Sequence, residues 1–409
     1  MLDRKPAIDR QAAATGPLQG IRVLDLTTTI LGPLATQTLG DMGADIIKIE
    51  SPVGDLNRQI GPAPHPGMAA FFANVNRNKR SVVLDLKQPA ALDALMRLVD
   101  SADVFVHGMR PKAAERLGID YAAISRRNPA IVYGSASGYR HDGPRANLPA
   151  YDDIIQGECG LAGLVGKTSG EPRYIPTVIA DKFTGHMLAS AIAMALLSRE
   201  RTGKGQEVHV PMFETMLSFL LVEHLWTRAF DGNEGTLGYT RLLTRHRRPY
   251  ATRDGHICIM ANTDAHWKAL LAALDIPQAS ADPRFATLEA RARNVDELYS
   301  IIAERIGHYG TAELRARLDA GDVPAGAMNT LEELMDDPYL KDSGFFHQYE
   351  HPEIGPMMTT AVPVYFSETP ATIRTPPPTP GQHTREVLAE AGLSASDIDA
   401  ATHDSWSKR

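Results

Sequence analysis

The sequence predicts an α/β fold: a Rossmann-like large domain with a mostly parallel sheet, and a smaller α+β domain. Three observations carry that prediction. Short β-branched and leucine-rich runs alternate with helix-patterned segments through the first half of the chain, as strands joined by crossover helices do. At 409 residues the chain exceeds what one small core accommodates, so two domains are expected. The composition is that of a globular protein, 43% hydrophobic and 22% charged.

In order along the chain, GIRVLDLT (Gly20 to Thr27) reads as the first strand. GPLATQTLGDMG follows as a helix that Gly43 closes, and ADIIKIE (Ala44 to Glu50) is the second strand. The alternation continues with a strand at Ser81 to Leu86, a helix from about Pro89 to Val99, a strand at Ala102 to His107, a helix, and a strand at Ala130 to Ser137. The dinucleotide fingerprint G-x-G-x-x-G is missing after the first strand, where the chain reads TTTILGP, so a nicotinamide cofactor is unsupported. Beyond Asp181 a helix through about Glu200 ends in RTGKGQ, EVHVPM is a brief strand, and FETMLSFLLVEHLWTRAF is helical. A smaller unit of strand and helices runs from Arg247 to about Gly326, and PPPTPG (Pro376 to Gly381) leads into a closing helix. The expected organisation is a disordered extension over 1–18, a large domain with its connecting helix over 19–225, a small domain over 226–326, and a return segment over 327–409 that completes the large domain.

Several function classes are disfavoured. The formal net charge of −7 argues against bulk nucleic-acid binding. The longest apolar stretch, Met187 to Leu197, is broken only by Ser190 and is shorter than the roughly 18 residues that span a bilayer, so no membrane role is expected. Residues 1–18 carry charges and no apolar core, unlike a secretory signal. Cys159 and Cys258 lie far apart without histidines at ligand spacing, so neither a disulfide nor a metal site is assigned, and a cytoplasmic location fits.

Asp181 stands before a mostly small and apolar run. As an N-cap its side chain would accept the orphan amides of the first turn. As a carboxylate aimed from the positive end of a helix it would also be a nucleophile towards an activated acyl group. The residues alone leave both readings open.

Six segments stand in order: GADIIKIE (Gly43–Glu50), NRNKRSVVLDLK (Asn76–Lys87), ADVFVHGMRPKAAERLG (Ala102–Gly118), YDDIIQ (Tyr151–Gln156), IADKFTG (Ile179–Gly185) and RTGKGQ (Arg201–Gln206). Together they resemble the class III CoA-transferases, the superfamily of formyl-CoA transferase, carnitine CoA-transferase and α-methylacyl-CoA racemase. The resemblance covers roughly residues 18–395. It implies an interlocked homodimer, no tightly bound cofactor, and a coenzyme A thioester and a carboxylic acid as substrates. Asp181 matches the family's reactive aspartate, which makes it both cap and nucleophile, passing through an aspartyl anhydride and an aspartyl-CoA thioester.

The resemblance further implies that Thr29 and Ile30 in the first βα turn line the CoA pocket, with Lys79, Arg80, Met109 and Arg116 as CoA contacts. Tyr151, Ser137, Gly138 and Tyr139 belong to the substrate pocket. Three departures stand out. Ser137 stands where formyl-CoA transferase has a lysine and Pro52 where it has an arginine. Racemases carry a histidine where this chain has Tyr151, a poor base at neutral pH, so a transferase is expected over an isomerase or a non-catalytic CoA-binding protein. The glycine-rich lid of formyl-CoA transferase is replaced by GTLGYTRLLTRHRRP, in which Tyr239, Arg241 and Arg245 could meet an acceptor's carboxylate.

Overall fold

The computed structural model describes residues 15–402. The extension expected over 1–18 therefore lies outside the described residues as far as position 14. From Thr15 the chain is held: Thr15 Oγ1 donates to the Pro370 carbonyl, and the Leu18 N–H donates to the Met42 carbonyl, both at 2.9 Å.

Six strands form one parallel sheet: β1 (Arg22–Leu26), β2 (Asp45–Glu50), β3 (Lys79–Val83), β4 (Val104–His107), β5 (Val132–Ser137) and β6 (Gln206–Pro211). Their order is β3-β2-β1-β4-β5-β6. Val23, Leu24, Ile47, Val104, Phe105 and Val106 are buried, as strands covered on both faces must be. Helices α1 (Leu31–Asp41), α2 (Ala70–Val75), α3 (Pro89–Val99), α4 (Pro111–Leu117) and α5 (Tyr121–Arg127) form the crossovers as far as β5. Pro89 starts α3, where its fixed φ suits the first turn and its missing N–H costs nothing. Then come α6 (Asp152–Glu158), α7 (Leu161–Ser169) and the 24-residue α8 (Ile179–Thr202), which stops at Gly203 in the left-handed conformation, φ 70°. The strand order reverses between β1 and β4, and open α/β sheets take ligands at the carboxyl ends of the strands beside such a reversal.

β3 starts two residues earlier than the sequence pattern suggests, at Lys79 instead of Ser81. That shift draws Lys79 and Arg80 into the sheet, with consequences for the site.

The described chain divides into two compact units. One takes the chain through Cys159, then Pro176–Leu217, then everything from Asp342. Its last segment completes the core around β3: the His383 N–H donates to the Ser81 carbonyl at 2.9 Å, and Val387, Leu388, Ile398 and Ala401 join Leu24, Ile47 and Phe105. The other unit takes Gly160–Ile175 and Ser218–Lys341, bounds that differ from the expected 226 and 326. It gains residues 160–175 because α7 packs with the short helix Thr240–Leu243. Its antiparallel sheet, β7 (Tyr250–Ala251), β8 (His256–Ile259) and β9 (Ala325–Ala327), shares a core with Trp267, Leu271, Leu298, Ile302 and Leu314. Among the described residues no helix is long and apolar enough to cross a membrane.

Candidate active site

The turn from β1 into α1 is shaped by buried charge. Asp25, with no exposure, accepts from Thr27 N–H at 2.9 Å, Thr36 Oγ1 at 2.7 Å and Lys79 Nζ at 3.0 Å. Burial alone would raise its carboxyl, but Lys79, Lys48 and the two threonine hydroxyls outweigh that and hold it at about 2. Lys48 Nζ reaches the Thr27 carbonyl at 2.8 Å and Asp55 at 3.0 Å, and Asp55 in turn accepts from Thr29 N–H at 3.1 Å. These bonds hold Thr29 at φ 64°, a conformation that a β-branched residue enters only under constraint. Thr29 is half-buried and Ile30, buried, is the N-cap of α1, so the expected CoA-lining turn lies at the carboxyl end of β1.

Several expected cations turn out otherwise. Lys79 is 1% exposed and donates to Asp25, the Pro33 carbonyl, Thr36 and Asn76 at 2.8–3.0 Å, so all its hydrogen-bonding capacity is spent inside the protein. It is a core lysine and presents nothing to a phosphate. Arg80 pairs with Asp45 at 2.7 Å, Glu390 at 2.8 Å and Glu386 at 3.3 Å. Asp45 opens β2 and Arg80 is second in β3, so this cluster sits at the amino edge of the sheet, away from the ligand-binding edge. Two further arginines are also paired, Arg58 with Glu50 at 2.6 Å and Arg77 with Asp41 at 2.7 Å. Arg116 is different. It is exposed in the last turn of α4 and makes no ion pair among the described residues. Met109 follows β4, half-buried, with its N–H donating to His107 Nδ1 at 3.0 Å.

Asp181 is the third residue of α8; Val178 is the N-cap and makes no side-chain cap bond. The expected capping role is therefore corrected. Asp152 does that work, accepting the Asp181 N–H on Oδ1 at 3.0 Å while Gln156 Nε2 donates to Oδ2 at 2.6 Å. One turn further along α8, Gly185 meets the start of α1 so closely that a Cβ there would lie 2.6 Å from the Leu31 carbonyl oxygen. That contact brings the first turn of α8 alongside the β1–α1 turn. Burial pushes the Asp181 carboxyl up to about 7, and the Asp152 carboxylate adds to the shift. A helix N-terminus favours the anion by only about 0.3–1 kcal/mol, less than the roughly 1.4 kcal/mol of one pKa unit. Burial wins.

The remaining expected residues divide. Ser137 ends β5 and donates to the Tyr139 carbonyl at 2.9 Å; both residues are buried, and Tyr139 Oη donates to Glu158 at 3.0 Å. Gly138 lies against Ala150, whose Cβ would be 2.2 Å from any Cβ added there. Tyr151 is 68% exposed at the N-cap of α6, so its ring is open to a ligand. Asp152, absent from the expected site, is the residue that sequence reasoning missed. Its signal was the i, i+4 pairing with Gln156 inside YDDIIQ, which marks a fixed carboxylate. Among the described residues no group of His, Cys, Asp or Glu is arranged to hold a metal ion.

Residues 18–384 match the model of CoA-transferase family III. A succinate–glutarate CoA-transferase of Agrobacterium fabrum is 32% identical over 381 residues, covering 91% of this chain and 95% of the relative. Among solved structures, a CAIB/BAIF family protein from Brucella suis superposes with a TM-score of 0.77 at 32% identity, covering 92% of this chain and all of that one. A Mycobacterium tuberculosis protein superposes with a TM-score of 0.81 at 30% identity, over 92% of this chain and 99% of its own.

Proposed function

This chain belongs to CoA-transferase family III and is an enzyme that transfers CoA between an acyl-CoA and an acid; from that premise we propose that Asp181 carries the transfer covalently. The observation behind the proposal is the uncompensated carboxylate at the start of α8. A carboxyl held near 7 is substantially ionised at neutral pH and more basic than an ordinary aspartate, hence a stronger nucleophile.

In the proposed sequence an Asp181 oxygen attacks the thioester carbonyl, the C–S bond breaks, and CoA leaves as thiolate with a mixed anhydride on the enzyme. The thiolate attacks the Asp181 carbonyl of that anhydride, releasing the donor acid as carboxylate and leaving an aspartyl-CoA thioester. The acceptor carboxylate attacks the carbonyl of this thioester, its C–S bond breaks, and CoA leaves again as thiolate with a second anhydride on the enzyme. The thiolate then attacks the acceptor's carbonyl, giving the new acyl-CoA and restoring Asp181. No proton is gained or lost overall. Orphan N–H groups at the start of α1 stabilise the oxyanions.

CoA lies along the carboxyl ends of β1 and β4, against Thr29, Ile30 and Met109, with Arg116 as a free cation and Tyr151 beside the reacting end. The working form is a homodimer of interlocked chains. Short dicarboxylic acids are the first substrates to try, by analogy with the Agrobacterium relative.

The test is a panel of CoA esters and free acids read by mass for new thioesters, run alongside a 2-methylacyl-CoA in deuterated water. New thioesters without α-deuterium support the transferase. Rapid α-deuteration without exchange would assign the chain to isomerase chemistry instead.

A further inference from the structure

The second unit holds a cavity of about 530 Å³, a volume typical of small-molecule sites, which run roughly 300–1,000 Å³. Its charge is one-sided. Arg247 and Arg248 line it, no carboxylate does, and among the described residues neither arginine makes an ion pair. The rest of the lining is largely apolar, with Ile259, Met260 and Pro324 as walls.

The contrast with Arg241, a few residues earlier, sharpens the point. Arg241 Nε donates to Tyr299 Oη at 2.9 Å, Nη1 to Asn262 at 3.0 Å and Nη2 to the Ala261 carbonyl at 3.1 Å. Its fork is spent on holding Tyr299, itself part of the lining, so it is not the acid contact that the sequence suggests. Arg245 is exposed and faces His246.

The arginine pair sits on a short segment pinned at both ends. On one side buried Thr244 donates to Asp296 and its carbonyl accepts the Arg247 N–H at 3.3 Å. On the other, Tyr250 is 7% exposed and pairs with Ile257 across β7 and β8. Two free guanidinium groups on an anchored segment, beside apolar walls, suit a ligand with an acidic head and a short carbon body. A guanidinium binds a carboxylate through two parallel hydrogen bonds, giving orientation as well as affinity.

We propose that this cavity binds the free anion of a small organic acid, with a carboxylate on Arg247 and Arg248 and the carbon chain against Ile259, Met260 and Pro324. The choice of a carboxylate over other anions rests on the proposed reaction, in which a free acid is a substrate. A phosphate shares the anionic chemistry, so the experiment must separate the two.

The test measures binding of glutarate, hexanoate, inorganic phosphate and ADP to the full chain without CoA, by titration calorimetry. At least one acid should bind. The double variant Arg247→Gln/Arg248→Gln should weaken it about tenfold or more, the scale of losing a charge-assisted hydrogen bond, while Asp181→Asn keeps the same contrast. In the exchange assay the double variant should raise KM for the acid by a similar factor and leave KM for the acyl-CoA within about twofold. Acid affinity unchanged in the double variant, no acid binding at all, or loss confined to phosphate and ADP overturns the proposal. Arginine-dependent acid binding in a protein that exchanges no thioester would leave this inference standing and sink the transferase mechanism; exchange with an acid KM indifferent to both arginines would do the reverse.

Discussion

Asp25 and Asp181 are both largely withdrawn from water, in the same unit and on either side of the β1–α1 turn, yet their carboxyl groups are driven in opposite directions. Around Asp25 two lysines and two hydroxyls more than offset the cost of burial, and the group stays ionised down to about pH 2. Around Asp181 burial is joined by a second carboxylate, and the group rises to about 7. A buried charge that the fold compensates is structural. One that the fold leaves uncompensated is a standing cost, and such costs collect where chemistry is done.

The largest effect that can break this contrast is on rate. Asp181→Asn should lower thioester exchange by about 10³-fold or more, as loss of a nucleophile does, measured as initial rate on the acyl-CoA. The same substitution should stabilise the protein. Because the folded pKa is raised from 3.8, the proton is held more tightly in the folded state. Stability that is fully present below pH 3.8 is lost as pH rises through about 7. The Asn variant escapes that loss, so its advantage should be absent near pH 4 and reach about 2–4 kcal/mol above pH 7, by urea unfolding. A variant less stable than the parent at pH 8 would mean the carboxylate is compensated after all.

Lys79→Ala tests the other side. It strands Asp25 without its cation and should cost about 3–5 kcal/mol of stability; a merely raised KM for the CoA ester in a fully stable protein would return Lys79 to the ligand. Asp152→Asn keeps the acceptor for the Asp181 N–H but removes the neighbouring charge. The acid limb of the pH–rate profile, where activity rises as Asp181 ionises, should move down by about one unit. An unmoved limb would leave burial as the sole cause. The smallest effect is at Arg80, part of a half-exposed cluster: Arg80→Ala should cost about 1 kcal/mol or less and leave KM for the acyl-CoA unchanged.

The sheet was legible because parallel strands buried on both faces advertise themselves as continuous apolar runs, and all six were readable in order from Gly20 to Met212. The position of Asp181 at the start of α8 was legible too, through IADKFTG. What hid was the state of the charges. NRNKR looks in sequence like a cationic patch, and only the extra residues at the start of β3 turn Lys79 inward and Arg80 to the amino edge. Asp152 was hidden for a related reason. Its role depends on α6 and α8 meeting at their N-termini, a long-range packing that local pattern does not encode.

The most direct test of the account is to trap the carboxylate in the act. The protein is incubated with an acyl-CoA that it exchanges, quenched with hydroxylamine or borohydride, digested, and mapped by mass. The account predicts a modification on the peptide containing Asp181, dependent on the acyl-CoA, abolished in Asp181→Asn and absent from the peptide containing Asp25. Thioester exchange at full rate with the Asp181 peptide unmodified at every quench time would contradict it.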